Sequence, residues 1–140
     1  MTAMKAIALD LSFNNITDSQ PEYFVNFTQL ERIFLNGNLL TRVPADISFF
    51  IPNINWLNLD ANKISVIKQS VFEGYSSIKY LFIENNGLEN LEANVFRNLP
   101  QITQLSLSKN GLLSSGIKDG VFNVSYLHLS DNNITALRKE

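Results

Sequence analysis

The chain has 140 residues, 45% of them apolar and 17% charged, with a net charge of −2, one histidine and no cysteine. That is enough apolar material for the core of one domain, with no basic footprint for nucleic acid and no polybasic arm for anionic lipid. Apolar runs extend only a few residues, as at Phe49 to Ile51, so no segment is expected to insert into a membrane, and disulfides and thiolate metal sites are excluded.

From the N-terminus, Leu9 and Leu11 alternate with other residues ahead of Asn14, and Ile16 follows it. The same frame, apolar at five and three residues before an asparagine and two after it, recurs along the chain. Ile33, Leu35 and Leu40 surround Asn38, and Leu57, Leu59 and Ile64 surround Asn62. Leu81, Ile83 and Leu88 surround Asn86, Leu105, Leu107 and Leu112 surround Asn110, and Leu127, Leu129 and Ile134 surround Asn132. The first five asparagines are each 24 residues apart and the sixth follows after 22. Eight residues before each stand Ala6, Leu30, Ile54, Ile78, Ile102 and Val124.

Each alternation of leucines reads as a short strand with one buried face. One unit cannot bury that face alone, so successive units stack and their strands pair in parallel about 4.8 Å apart. The chain must turn sharply after each strand, which leaves backbone donors and acceptors inside the stack. An asparagine amide supplies both a donor and an acceptor, so Asn14, Asn38, Asn62, Asn86, Asn110 and Asn132 are expected to form a structural ladder.

The return segments carry a second frame. Ten residues after the asparagine come Phe24, Phe72 and Phe96, and eleven before the next come Phe27, Ile51, Tyr75, Leu99 and Val121. Stretches such as Pro21 to Phe24 and Glu92 to Phe96 are expected to be short helical or irregular returns whose phenylalanines fill the convex side. Ser48 departs from the phenylalanine column, with Phe49 and Phe50 beside it as candidates to fill the place. The fifth unit is two residues short and has Gly120 there.

L-x-x-L-x-L-x-x-N-x-L six times over resembles the leucine-rich repeat family across nearly the whole chain. The 24-residue unit with its phenylalanine resembles the type found in Toll-like receptors, Slit-like guidance proteins, small matrix proteoglycans and insect immune repeat proteins. The resemblance implies an α/β leucine-rich repeat solenoid, with a curved parallel sheet on the concave face and short helical or irregular segments on the convex face. It also implies a receptor, adhesion or immune role at the cell surface or outside the cell.

Catalytic chemistry finds little support. The one histidine, His128, falls on the solvent side of its strand between Tyr126 and Ser130, with Ser106 and Ser108 in the neighbouring coil. A serine–histidine contact is geometrically possible, but an open sheet excludes water poorly and offers no oxyanion arrangement. No phosphate loop, HExxH or EF-hand pattern occurs. No enzyme, no cofactor and no metal site is expected.

Binding is better supported. Residues six, four and two before each asparagine point away from the leucines and form the concave surface. Arg32, Trp56 and Tyr80 are consecutive in one such column, with Phe34 and Phe82 beside them. Aromatic residues and arginine are the types enriched at interface hot spots, whereas cross-strand aromatic packing would give the same pattern for stability alone. Asp60 and Glu84 are in register on adjacent strands, where like charges repel. They would suit a cationic group on a partner or, less well, a calcium ion. The expected partner is a protein ligand or co-receptor.

Four N-x-[ST] sequons occur, at Asn15, Asn26, Asn123 and Asn133, where composition alone would give about 2.4. All four lie between the apolar columns, where a glycan could reach solvent. They lean towards a secreted or cell-surface protein. Met1 to Lys5 lack a secretory signal and cysteine is absent, which favours the alternative, an intracellular scaffold or adaptor in the cytoplasm. Residues 1–140 are expected to be a single array of about six repeats, a fragment whose terminal caps lie elsewhere.

Overall fold

A computed structural model describes residues 2–18, 21–117 and 123–137. Six three-residue strands lie side by side in sequence order: β1 (Ala8–Asp10), β2 (Arg32–Phe34), β3 (Trp56–Asn58), β4 (Tyr80–Phe82), β5 (Gln104–Ser106) and β6 (Tyr126–His128). All pairings are parallel, and the 24-residue repeat sets the register, with Arg32 opposite Trp56 and Trp56 opposite Tyr80. The shortened fifth unit puts Gln104 opposite Tyr126.

The central residue of each strand points into the stack. Ile33, Leu57, Leu81 and Leu105 are all fully buried, and so are their partners Leu59, Ile83 and Leu107. The same columns are only half-buried in the first and last coils, at Leu9, Leu11, Leu127 and Leu129. A stacked unit is covered only by its neighbours.

The ladder closes the stack along one side. The Asn62 amide donates to Leu35 O in the preceding coil and to Leu59 O in its own, at 3.0 Å each, and its oxygen accepts from Leu40 N at 3.0 Å. Asn38, Asn86, Asn110 and Asn132 likewise bridge to the coil before them, through Leu11 O, Leu59 O, Ile83 O and Leu107 O. Asn14 bonds within its own coil, to Leu11 O and Ser12 O.

What swings each asparagine inward is the residue before it. Phe13, Gly37, Ala61, Asn85, Lys109 and Asp131 all adopt φ between 50° and 71°. This left-handed backbone disfavours side chains, yet glycine occupies only one of the six places. The turn is therefore imposed by the stack rather than by local preference.

Short returns complete each coil: 3₁₀ turns at Pro21–Phe24, Gln69–Phe72 and Ser114–Gly116, and one helical turn at Ile47–Phe50. Phe24, Phe72 and Phe96 are buried in the convex column, and the Phe72 and Phe96 rings lie 5.7 Å apart. Gly120 and Val121, the next places in the two convex columns, lie outside the described residues.

Ser48 interrupts the phenylalanine column, and its neighbours divide the consequences. Phe49 does not fill the gap: it is 83% exposed, while Phe50 packs partly against the core. Ser48 itself is buried, donates to Ala45 O at 2.9 Å, and sits where any side chain at Gly74 would have to go. The next coil supplies Tyr75 instead. Its ring is fully buried and its hydroxyl donates to Pro44 O. Burial pushes this phenol above its usual range.

Tyr75→Phe keeps the ring and leaves the buried Pro44 carbonyl without its donor, a cost of about 1–3 kcal/mol. Thermal unfolding of the variant should begin several degrees below that of the parent chain. Equal melting temperatures would show that this hydroxyl bond does not support the convex side.

Candidate functional site

The concave sheet is built by the strand residues that alternate with the buried leucines. Its middle strands carry an aromatic group. Trp56 is half-buried and outside the leucine layer, with Leu57 beneath it in that layer. Its ring centroid lies 5.0 Å from that of Tyr80, 4.9 Å from Phe82 and 6.2 Å from Phe34, all in tilted arrangements. Asn58 stands between Phe34 and Phe82 in their column, and the shorter side chain there leaves the indole room to meet both rings. Such pairs contribute about 0.5–1.5 kcal/mol beyond their burial.

The indole N–H is shut off from solvent and has no acceptor. Arg32 is exposed and in register with Trp56 at the start of the cluster. The sheet thus brings together all five residues of the expected Arg32, Phe34, Trp56, Tyr80 and Phe82 group.

Asp60 and Glu84 lie at the opposite edge, two residues beyond Asn58 and Phe82. Glu84 N donates to Asp60 Oδ1 at 2.6 Å, and Ser106 Oγ donates to Glu84 Oε1. Burial first, and the nearby Glu84 charge besides, push the Asp60 carboxyl up to about 6, against the pull of that backbone bond. Among the described residues the one ion pair is Arg42–Asp18 at 4.0 Å, so neither carboxylate has a cation beside it. Among the described residues no group of three or more histidine, acidic or cysteine side chains is placed to hold a metal ion.

His128 is exposed, and its ring nitrogen lies 3.4 Å from Gln104 Nε2 rather than beside a serine. Ser106 is bonded to Glu84, and Ser108 accepts from Ser130 Oγ at 2.9 Å. The serine–histidine contact allowed by the spacing is not formed. A cavity of about 530 Å³ opens at the first coil between Leu9, Leu11, Ile16, Phe24 and Leu35. Its lining is leucine-layer material, with Asp18 already engaged by Thr41.

The sequons fall as follows. Asn15, Asn123 and Asn133 are exposed, and Asn26 is half-buried with its carbonyl accepting from Met4 N at 2.7 Å. Sequence reasoning did not single out Asn58, and it set Ser106 beside His128 rather than beside Glu84. Their signal was present, since both lie in the solvent-side column of Phe34 and Phe82.

Models of the leucine-rich repeat match residues 8–64 and 52–112. The chain belongs to the leucine-rich repeat family. No curated protein matches it significantly in sequence. Among solved structures it is similar to an internalin of Listeria monocytogenes, with 27% identity and a TM-score of 0.73 over 92% of this chain and 36% of the internalin. It is also similar to a protein in the Drosophila Toll–Spatzle complex, described as a hub in development and innate immunity. There the identity is 32% and the TM-score 0.67, over 70% of this chain and 13% of that one. A leucine-rich repeat protein of Leptospira interrogans matches with 27% identity and a TM-score of 0.62, over 73% and 25% of the two chains. The chain therefore spans about a third or less of the proteins it resembles. Repeats of this family generally mediate protein–protein binding, and the solenoid is typically a scaffold without catalysis. No helix among the described residues is long and apolar enough to cross a membrane.

The raised Asp60 value sets a sign. Between the unfolded value of 3.8 and about 6 the folded chain holds this proton more tightly, so the contribution of Asp60 is most favourable below 3.8 and is lost as pH rises through about 6. Asp60→Asn removes the ionisation while keeping an acceptor for Glu84 N. Its melting temperature should exceed the parent's at pH 7.5, and the gain should shrink towards zero near pH 4. A gain that is equal at both pH values would show that charge burial at Asp60 is not the cause.

Proposed function

We propose that this leucine-rich repeat segment recognises a protein partner through the concave face, with Trp56 as anchor and Arg32, Phe34, Tyr80 and Phe82 around it. The observation that carries the reading is the indole N–H buried without an acceptor. Such a donor costs about 1–3 kcal/mol. A phenylalanine at this place would supply cross-strand packing without that penalty, so packing alone does not account for a tryptophan. Large rigid aromatics that are only partly covered are the residues that dominate binding energy at interfaces. No reaction belongs to this reading, since His128 meets Gln104 on an exposed strand.

We place the parent protein at the cell surface or outside the cell, in a receptor, adhesion or immune role. The exposed sequons at Asn15, Asn123 and Asn133 support this, as does the likeness to the Toll and internalin structures. On this reading the partner is a protein ligand or co-receptor, and no cofactor takes part.

Two outcomes are expected. Trp56→Ala should weaken binding to a partner by about 2 kcal/mol or more while the chain remains folded. Unchanged affinity in a folded variant would move the site to the convex side or the loops. Secretion from animal cells should attach glycan to at least one of Asn15, Asn26, Asn123 and Asn133, visible as a mass loss on enzymatic deglycosylation. Secreted chain with no such shift would remove the residue-level support for the extracellular assignment.

A further inference from the structure

The concave face has opposite characters at its two edges. Arg32 shares one edge with Trp56 and Tyr80, Phe34 and Phe82 stand in the middle column, and Asp60 and Glu84 form the other edge. Two carboxylates side by side just beyond the ends of adjacent strands repel each other, and here one of them is half-buried. Within the described chain the only relief comes from backbone and hydroxyl donors, Glu84 N and Ser106 Oγ, with no cation beside either group.

We propose that the partner presents a lysine or arginine to this face, its alkyl stem lying on Phe82 and Trp56 and its cationic head held by Asp60 and Glu84. The inference rests on the concave-face reading and names the chemistry of the occupant. Three features of the surface support it. Residues two apart in extended chain are about 6.6 Å apart, so a long side chain crossing Phe82 reaches the Glu84 position two residues on. Aromatic faces attract cations within about 6 Å of their centroids, tryptophan most strongly. A cation between the two carboxylates removes their mutual repulsion, which an apolar or acidic occupant would leave in place or increase. Arginine fits both parts, since its planar head pairs with carboxylates and stacks on rings.

The pH behaviour of such a complex has a definite sign. Among the described residues the ionisable group in contact with Asp60 is Glu84, with Asn58, two residues before it, as a neutral neighbour. Protonation of Asp60 as pH falls through about 6 removes charge from the pocket, so binding is weaker at pH 5 than at pH 7.5.

The test is a selection from a library of random peptides displayed on phage, applied to the whole chain. Recovered peptides are then titrated into the parent chain and its variants by isothermal titration calorimetry. The expected winners are rich in lysine or arginine. Their affinity should fall about tenfold or more in the double variant Asp60→Asn/Glu84→Gln, and in Glu84→Lys, with far-ultraviolet dichroism unchanged. The same peptides should bind Glu73→Gln, an exposed site on a return segment, as they bind the parent. Peptides that need Trp56 but carry no basic residues, and ignore the neutralised carboxylates, would overturn this inference and leave the concave-face reading standing. Peptides that bind Trp56→Ala as well as the parent would overturn both. Equal losses in Glu73→Gln, or no enriched peptide at all, would also overturn the basic-partner inference.

Discussion

The structure depends on one interaction, the bridge that an asparagine side chain makes between consecutive coils. A parallel stack of short strands has to turn its chain inward at every coil, and each turn strands backbone groups where water does not reach. Asn62 answers on three sides at once, taking Leu40 N and donating to Leu35 O and Leu59 O. An aspartate at this place would lack the donor and a leucine would lack both functions. The left-handed residue ahead of each asparagine, from Phe13 to Asp131, is the strain through which that geometry is reached.

With the turns fixed, the register follows, and with it the concave face. The strands are only three residues long, yet Arg32, Trp56 and Tyr80 line up because the ladder holds each coil over the last. The face that results is not optimised for stability. It confines a tryptophan N–H without an acceptor and sets a half-buried aspartate next to a glutamate. Both features cost free energy in the isolated chain, and the proposed cation would offset the second by neutralising the carboxylate pair. Costs concentrated on one surface of a regular scaffold are a mark of recognition sites.

Much of this was legible in the sequence, because a repeat prints its own contacts. The asparagine spacing gave the strand register, and the register gave the column that sets Trp56 against Tyr80. Three-dimensional detail was less accessible where residues act across the repeat instead of within a column. Nothing in the pattern showed that Trp56 would lean over Asn58 to meet Phe34 and Phe82, since that depends on the size of the residue beneath the ring. Nor did it show that Tyr75 would reach back to Pro44 beside Ser48. The left-handed column was hidden for a different reason. Phenylalanine, alanine, asparagine, lysine and aspartate occupy it alongside a single glycine, so local propensity gives no warning. Ser106 and Ser108, read as possible neighbours for His128, are engaged by Glu84 and Ser130 instead.

The central claim is that the ladder, coil by coil, holds the sheet that presents this face. Native-state hydrogen exchange at the Leu40 amide measures it most directly, because that N–H is held by Asn62 Oδ1 at 3.0 Å. In Asn62→Ala the loss of this acceptor should speed Leu40 exchange by about tenfold or more, while the Leu112 amide, itself two coils from the change and bonded to Asn132, keeps its protection. Exchange at Leu40 as slow in the variant as in the parent chain would contradict the account.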